Sequence, residues 1–289
     1  MALHSIDERP QGEYTALRAM LDGVAKPKRN LRWQQADILL DVHFREYPRR
    51  VIRRLDRLRR AYDQRGESDE YGRLWETVQH LLGELTVTIH GYSPRLALRS
   101  ADKVWLQVGE VLDRLNSAGY PAFVNSGTLL GLVRGDGIIA HDDDVDLAVL
   151  LHADTAEAAA REWLGLRRKL RASGLLDAEF DDLARVHTKA ASPDGLKIDV
   201  FPGWLSDGLL YLWPYSYGDV AAEDVVPLRP IAVDGTTELP GPARSEALLA
   251  VNYGDSWRTP DPLFAFDWGS AKQRFSSFRE LVVDGYVVR

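Results

Sequence analysis

The sequence predicts an α+β fold, a mixed sheet flanked by helices, preceded by an all-helical N-terminal region. Three observations lead there. Apolar side chains recur at helical spacing through roughly the first 95 residues, whereas from Ser100 onward helical stripes are interleaved with short runs that alternate at strand period. Charge changes at the same place, from a net +4 over residues 1–100 to −11 over residues 101–289. The expected division is therefore a helical region over 1–97 and an α+β region over 98–289.

The first helix read from the pattern covers residues 33–47, with Trp33, Ile38, Leu39, Val42 and Phe44 as its apolar stripe and Pro48 as its interruption. Val51, Ile52, Leu55, Leu58 and Tyr62 form the stripe of the next helix, and Gly66 is its stop. Nine arginines against three acids between positions 45 and 65 make its other face strongly basic. A third helix is expected from Ser68, burying Tyr71, Leu74, Trp75, Val78, Leu81, Leu82 and Leu85.

Ser100 reads as an N-cap, followed by a stripe of Val104, Trp105, Val108, Val111, Leu112 and Leu115 that ends at Gly119. YPAFVN reads as a strand, SGTLLGLVR as a glycine turn opening a short helix, and HDDDVDLAVLL as a second strand. Residues 155–172 form a helix that Asp154 can cap, with Arg167, Arg168, Lys169 and Arg171 suited to its negative end. LARVHTKAA and LKIDVFP, joined around SPDG, read as a hairpin. DVVPLRPIAVDG is strand-like, and Arg244–Val251 reads as a final core helix.

Composition excludes several classes of function. The chain has 289 residues and net charge −7, so it is no generally basic nucleic-acid binder. Without cysteine there is no disulfide framework, thiol nucleophile or Cys-ligated zinc. MALHSIDERPQ is polar and acidic, unlike a signal peptide, and no apolar run reaches the roughly 18–20 residues of a membrane span. The expectation is a soluble, cytoplasmic protein, peripheral to the inner membrane face at most.

The chemistry concentrates at Asp142-Asp143-Asp144-Val145-Asp146. Residues two apart on a strand share a face, so Asp144 and Asp146 become neighbours that repel unless a cation compensates them. Mg²⁺ or Mn²⁺ would do so and could share phosphate oxygens with a substrate. Asp199, an acid between the apolar Ile198 and Val200, is the third candidate. Three such acids on adjacent strands can hold one or two ions for phosphoryl transfer. The blander account, a solvated acidic loop, stands beside this one. An EF-hand fails because its sixth and twelfth positions, counted from Asp142, are Leu147 and Ala153. A P-loop fails because Gly127 to Gly131 is not followed by Lys-Ser/Thr. The turn Ser126-Gly127-Thr128 offers backbone N–H groups to a phosphate.

NSGTLLGLVRGDGIIAHDDDVDLAV resembles the signature of the LicD/fukutin family, a branch of the nucleotidyltransferase fold. KIDVF is similar to that family's third acidic strand, while PLRPIAVDG, LPGP and LLAVNYGDSW resemble its C-terminal pattern. The resemblance covers roughly residues 100–262 and departs from the family at His141, where an aromatic residue is usual. It implies a nucleotidyltransferase-like sheet and a transferase that moves a phospho-alcohol, such as phosphocholine, ribitol phosphate or glycerol phosphate. The implied donor is CDP-linked and the acceptor is a hydroxyl of a glycan or glycan precursor. Asp144, Asp146 and Asp199 become the implied catalytic and metal acids, Gly127 and Thr128 with the adjoining Ser126 the donor-phosphate turn, and Arg134 a neighbour. Asp199 is also a candidate base for the acceptor hydroxyl.

Strand alternation adds Lys197 to the face of Asp199, and puts Arg185, His187 and Lys189 on one face of the partner strand. Lys189 and Lys197 are candidate phosphate contacts, or members of ordinary cross-strand ion pairs. Arg134 could equally pair with Asp136 or Asp143. Tyr253 and Trp257 could stack on a base or wall the pocket. The arginines of 49–60 could meet an anionic polymer or membrane surface, or form a solvated or ion-paired helix face. A nucleotidylyltransferase with the same three acids, and a non-catalytic glycan-binding scaffold, are the competing functions. No nucleic-acid partner is expected.

Overall fold

The computed structural model describes residues 11–88, 91–181, 185–261, 264 and 266–287. The N-terminal stretch read for a leader, up to residue 10, lies outside them, as do Leu183 and Ala184 of the expected hairpin. The chain divides into two compact units, Met1–Arg95 and Leu96–Arg289.

The first unit contains α1 (Gln11–Asp22), α2 (Leu31–His43), α3 (Pro48–Asp63) and α4 (Ser68–Leu82), then a strand pair, β1 (Leu85–Thr88) and β2 (Gly91–Pro94). The sequence reading omitted α1 and the strands, so this region is helical without being all helix. LTVT and GYSP pair antiparallel, from Leu85 opposite Pro94 to Thr88 opposite Gly91. Asn30 caps α2 by accepting from the N–H of Trp33 at 3.1 Å. Pro48 opens α3, because a first helical turn needs no N–H there.

The buried side of α2 differs from its expected stripe. Ile38, Leu40 and Val42 are buried, and Asp37 and Asp41 are buried with them, at 1% and 0% exposure. Arginines compensate both. Arg18 reaches both acids, Arg54 pairs with Asp37, and Arg50 binds Asp41 at 2.6 and 2.7 Å. Tyr14 adds a hydroxyl donor to Asp41 at 3.0 Å. Two of α3's arginines, Arg50 and Arg54, are thereby turned toward these acids instead of forming a purely solvated basic face.

The second unit runs α5 (Ala101–Ser117), β3 (Ala122–Val124), α6 (Ser126–Arg134), β4 (Val145–Leu150), α7 (Ala156–Ala172), α8 (Ala178–Asp181), β5 (Thr188–Ala190), β6 (Ile198–Ser206), β7 (Leu209–Leu212), β8 (Ser216–Ala221), β9 (Arg229–Ala232), β10 (Glu238–Gly241), α9 (Ser245–Tyr253), α10 (Trp268–Arg274) and α11 (Ser276–Val287). The main sheet has the order β3-β4-β6-β7-β8, and β5 joins β6 beside that path. Among the described residues only β4 and β6 pair parallel. This is the α+β architecture expected, with β9 and β10 forming a separate antiparallel pair.

All six residues of the predicted α5 stripe are buried, and Gly119 takes a positive φ of 92° where that helix stops. Two local readings need correction. Thr155, not Asp154, caps α7, accepting from the N–H of Ala158 at 3.3 Å. Arg167 and Arg171 serve Asp181 rather than the helix end: Arg167 is buried and binds that carboxylate at 2.7 and 2.9 Å, and Arg171 binds it at 2.8 Å. Helix α11, absent from the sequence reading, packs along α7 and contributes Phe278 and Val282 to the core. Among the described residues no helix is long and apolar enough to cross a membrane.

Candidate active site

Strand register assembles the acids. Parallel pairing sets Asp146 of β4 opposite Asp199 of β6, and antiparallel pairing sets Lys189 of β5 opposite the same Asp199. Asp144 lies one residue before β4 rather than on it. Even so, Asp144, Asp146 and Asp199 each offer a carboxylate oxygen within 4.8 Å of the others'. Asp142, Asp143 and Asp144 form a second such group. Asp199 is 8% exposed and the others are partly buried.

The start of α6 fixes Asp146. Gly127 donates its N–H to Asp146 Oδ2 at 3.0 Å, and Thr128 Oγ1 accepts from the Asp146 N–H at 2.9 Å. Glycine is required at 127 for space: a Cβ there would lie 2.7 Å from Asp142 Oδ2 and 3.4 Å from Asp146 Oδ2. Ser126 carries a φ of +47°, a region costly for a residue with a Cβ. Its hydroxyl lies 3.0 Å from Tyr253 Oη.

Two of the three acids have no basic partner. Among the described residues, no lysine or arginine is within ion-pair distance of Asp144 or Asp146. Burial and the charges of Asp142 and Asp199 push Asp146 up to about 8, partly offset by the Gly127 N–H and the Ser126 hydroxyl. Asp144 is raised well above the usual carboxylate range by burial and by Asp146, Asp142, Asp199 and Asp143. Burial and Asp143 bring Asp142 to about 7. Unlike its neighbours, Asp199 is paired: Lys189 Nζ binds Oδ1, and His187 Nε2 stands 3.7 Å from Oδ2. Burial lowers His187 to about 4, so its imidazole is neutral at pH 7. It stacks on Phe201 with ring centroids 5.1 Å apart.

A hard divalent cation fits this donor set. The three acids supply oxygen ligands alone, they converge from a strand, its leading residue and an adjacent strand, and the strongest repulsion falls where no side-chain cation compensates it.

The remaining candidates are distributed differently from their expected roles. The Gly127 N–H and the Thr128 hydroxyl oxygen both hold Asp146, so this turn positions an acid in addition to its expected place beside a donor phosphate. Lys197 pairs with Asp143 at 2.6 Å. Arg185 lies over the Phe180 ring, 4.4 Å from its centroid, not beside the acids. Arg134, rather than joining Asp136 or Asp143, donates to the backbone carbonyls of Trp257 and, at 3.0 Å, Thr259. Trp257 belongs to the core at 5% exposure, which removes its ring from stacking on a base. Tyr253 is at the site through Ser126. Sequence reasoning missed Tyr215, a phenol that burial and the nearby Asp146 and Tyr253 push far up. WPYSYG carries no period or motif that would have flagged it.

Residues 119–244 match the family profile described as LicD/FKTN/FKRP, nucleotidyltransferase domain. This segment belongs to the LicD family. The LicD match takes in α6, the acid run and the β5–β6 hairpin, and stops before Tyr253 and Trp257. No curated protein sequence matches the chain. LicD membership implies a transferase with a broadly phosphate-transferring, glycan-modifying role.

Proposed function

We propose that this protein transfers a phospho-alcohol from a CDP-linked donor to a hydroxyl of a glycan or glycan precursor, in a reaction that depends on Mg²⁺ or Mn²⁺. The observation that carries the reading is the meeting of Asp144, Asp146 and Asp199 in a LicD domain, with no lysine or arginine among the described residues paired with the first two. The new bond joins the acceptor oxygen to phosphorus, the bond from that phosphorus to CMP breaks, and the acceptor hydroxyl loses its proton.

Asp144, Asp146 and Asp199 would hold the ion, which when bound would supply a Lewis acid for phosphate oxygens and for charge on the departing CMP. Gly127 and Thr128 keep Asp146 aimed from both its carboxylate and its backbone. Lys189 fixes Asp199 and brings an ammonium to the edge of the cluster, where phosphate oxygens would arrive.

The test incubates the protein with CDP-choline, CDP-ribitol or CDP-glycerol and a glycan acceptor, with and without Mg²⁺, and follows CMP. Metal-dependent CMP release coupled to acceptor modification supports the reading. Pyrophosphate release from an NTP would replace it with nucleotidylyl transfer.

A further inference from the structure

The helical unit holds a polar cleft for which the transferase reading has no use. Its smaller lobe, about 230 Å³, is lined by Arg29, Trp33, Gln34, Asp37, Arg54 and Arg57. A wider lobe of about 590 Å³ shares Arg29 and Gln34 and adds Arg32, Arg65, Gln35 and Tyr62 among its walls. We propose that this cleft binds a phosphorylated sugar or polyol, with the phosphate in the smaller lobe and the hydroxyl-bearing carbon chain or ring in the wider one.

The charge balance of the smaller lobe favours an anion. Asp37, its one acid, is already shared by Arg18 and Arg54. Arg57 is exposed and has no ion pair among the described residues. Arg29 is fixed beforehand. Its guanidinium donates to the carbonyls of Val24 and Asp22, both at 2.9 Å, and lies 4.6 Å from the Trp33 ring centroid. A guanidinium held this way loses little freedom on meeting a phosphate and presents its remaining N–H groups in a fixed plane.

The wider lobe selects the rest of the ligand. Gln34 and Gln35 amides and the Tyr62 hydroxyl can donate and accept, as sugar hydroxyls require, and the volume lies within the range of small-molecule sites. Gln35 already donates to Tyr62 Oη at 2.7 Å, which fixes that wall. A nucleotide fits less well, since Arg29 covers the Trp33 face on which a base would stack.

Calorimetric titration of the full-length protein with glucose 6-phosphate in low-salt buffer tests the proposal, with glucose, inorganic phosphate and AMP as comparison ligands. Saturable glucose 6-phosphate binding is expected, tighter than inorganic phosphate and AMP. Arg57→Gln should weaken it at least tenfold, and Arg32→Gln should weaken it less. Arg53→Gln and Arg60→Gln, on α3 but outside both lobes, should leave it unchanged. Absence of saturable binding, preference for AMP, or equal loss in the Arg53 and Arg60 variants would overturn the site. The last outcome would point instead to diffuse attraction of anions by the helix surface. Asp146→Asn should bind glucose 6-phosphate as the parent does, so failure here and failure of the transferase reading are separable.

Discussion

Each unit sets two aspartates close together, buried in the first and partly buried in the second, and the pairs are treated in opposite ways. Asp37 and Asp41 stand one helical turn apart in α2, and Arg18, Arg50 and Arg54 surround them. Asp144 and Asp146 stand two residues apart at the head of β4 with no basic partner among the described residues, and burial and mutual repulsion raise their proton affinities. Asp181, in the same unit as the second pair, is again compensated, by Arg167 and Arg171. A buried acid that the chain itself neutralises is explained by folding. One left to repel its neighbours is costly to the fold and calls for a ligand from outside.

Removing one charge from each pair should break this comparison most sharply. Asp146→Asn is expected to lower transfer by about a thousandfold, equal to about 4 kcal/mol of transition-state stabilisation. It should also abolish thermal stabilisation by Mg²⁺, while leaving the metal-free protein as stable as before or more so. Asp41→Asn should do the reverse, costing about 3 kcal/mol of folding stability by stranding Arg18 and Arg50 beside a weaker partner. Urea unfolding of both variants in EDTA decides it: equal losses would mean that Asp146 is a structural acid too.

The spacing behind Asp146 supplies the next test. Gly127→Ala places a methyl against the carboxylates of Asp142 and Asp146, so either the acids or the start of α6 must shift. A displacement approaching 1 Å would cost about a hundredfold in kcat. Metal affinity, read by titrating Mn²⁺ against the thermal midpoint, should weaken in parallel. Unchanged metal affinity with lost activity would assign Gly127 to the donor rather than to the acids.

Much of this was legible in the sequence, and the limits are physical. Period-two alternation paired β5 with β6, and the acid run placed the metal candidates, because short-range pattern determines which face a side chain takes. Register between strands distant in sequence has no local signal, so the position of Asp146 opposite Asp199 emerged only from the fold. Asp37 and Asp41 went unread because an acid on a helix ordinarily faces water, and their arginines come from other helices. Trp257 and Arg134 were misplaced for a related reason. Residues in a family-like pattern can serve packing, and burial depends on contacts across more than a hundred positions, as between Arg134 and Thr259.

Smaller in effect is the response to pH. A carboxyl whose folded pKa lies above its unfolded value holds its proton better in the folded chain, so stability falls as pH rises toward the folded value. With Asp142 raised to about 7 and Asp146 to about 8 from a free value near 3.8, the metal-free protein should lose stability from about pH 4 up to about pH 8. His187, lowered to about 4, offsets part of this loss between about pH 4 and 6.5, the range between its folded value and that of a free imidazole. Thermal melts across this window in EDTA should slope downward, more shallowly in Asp146→Asn and with saturating Mg²⁺. A flat profile in EDTA would remove the repulsion on which the contrast between the two pairs rests.

The smallest expected effect separates positioning from ligand contact. Tyr253 Oη meets Ser126 Oγ at 3.0 Å, and Ser126 holds a strained backbone directly before the glycine that donates to Asp146. Removing that hydroxyl in Tyr253→Phe deletes one buried hydrogen bond, worth about 1 kcal/mol of stability. If Tyr253 acts through Ser126, kcat should fall severalfold with the KM for donor nearly unchanged, and the Mg²⁺-dependent rise in melting temperature should persist. If the phenol touches the donor, the KM for donor should rise as well. The two outcomes differ in which quantity moves, so the variant shows whether the helix start is braced for the acids alone or for the substrate as well.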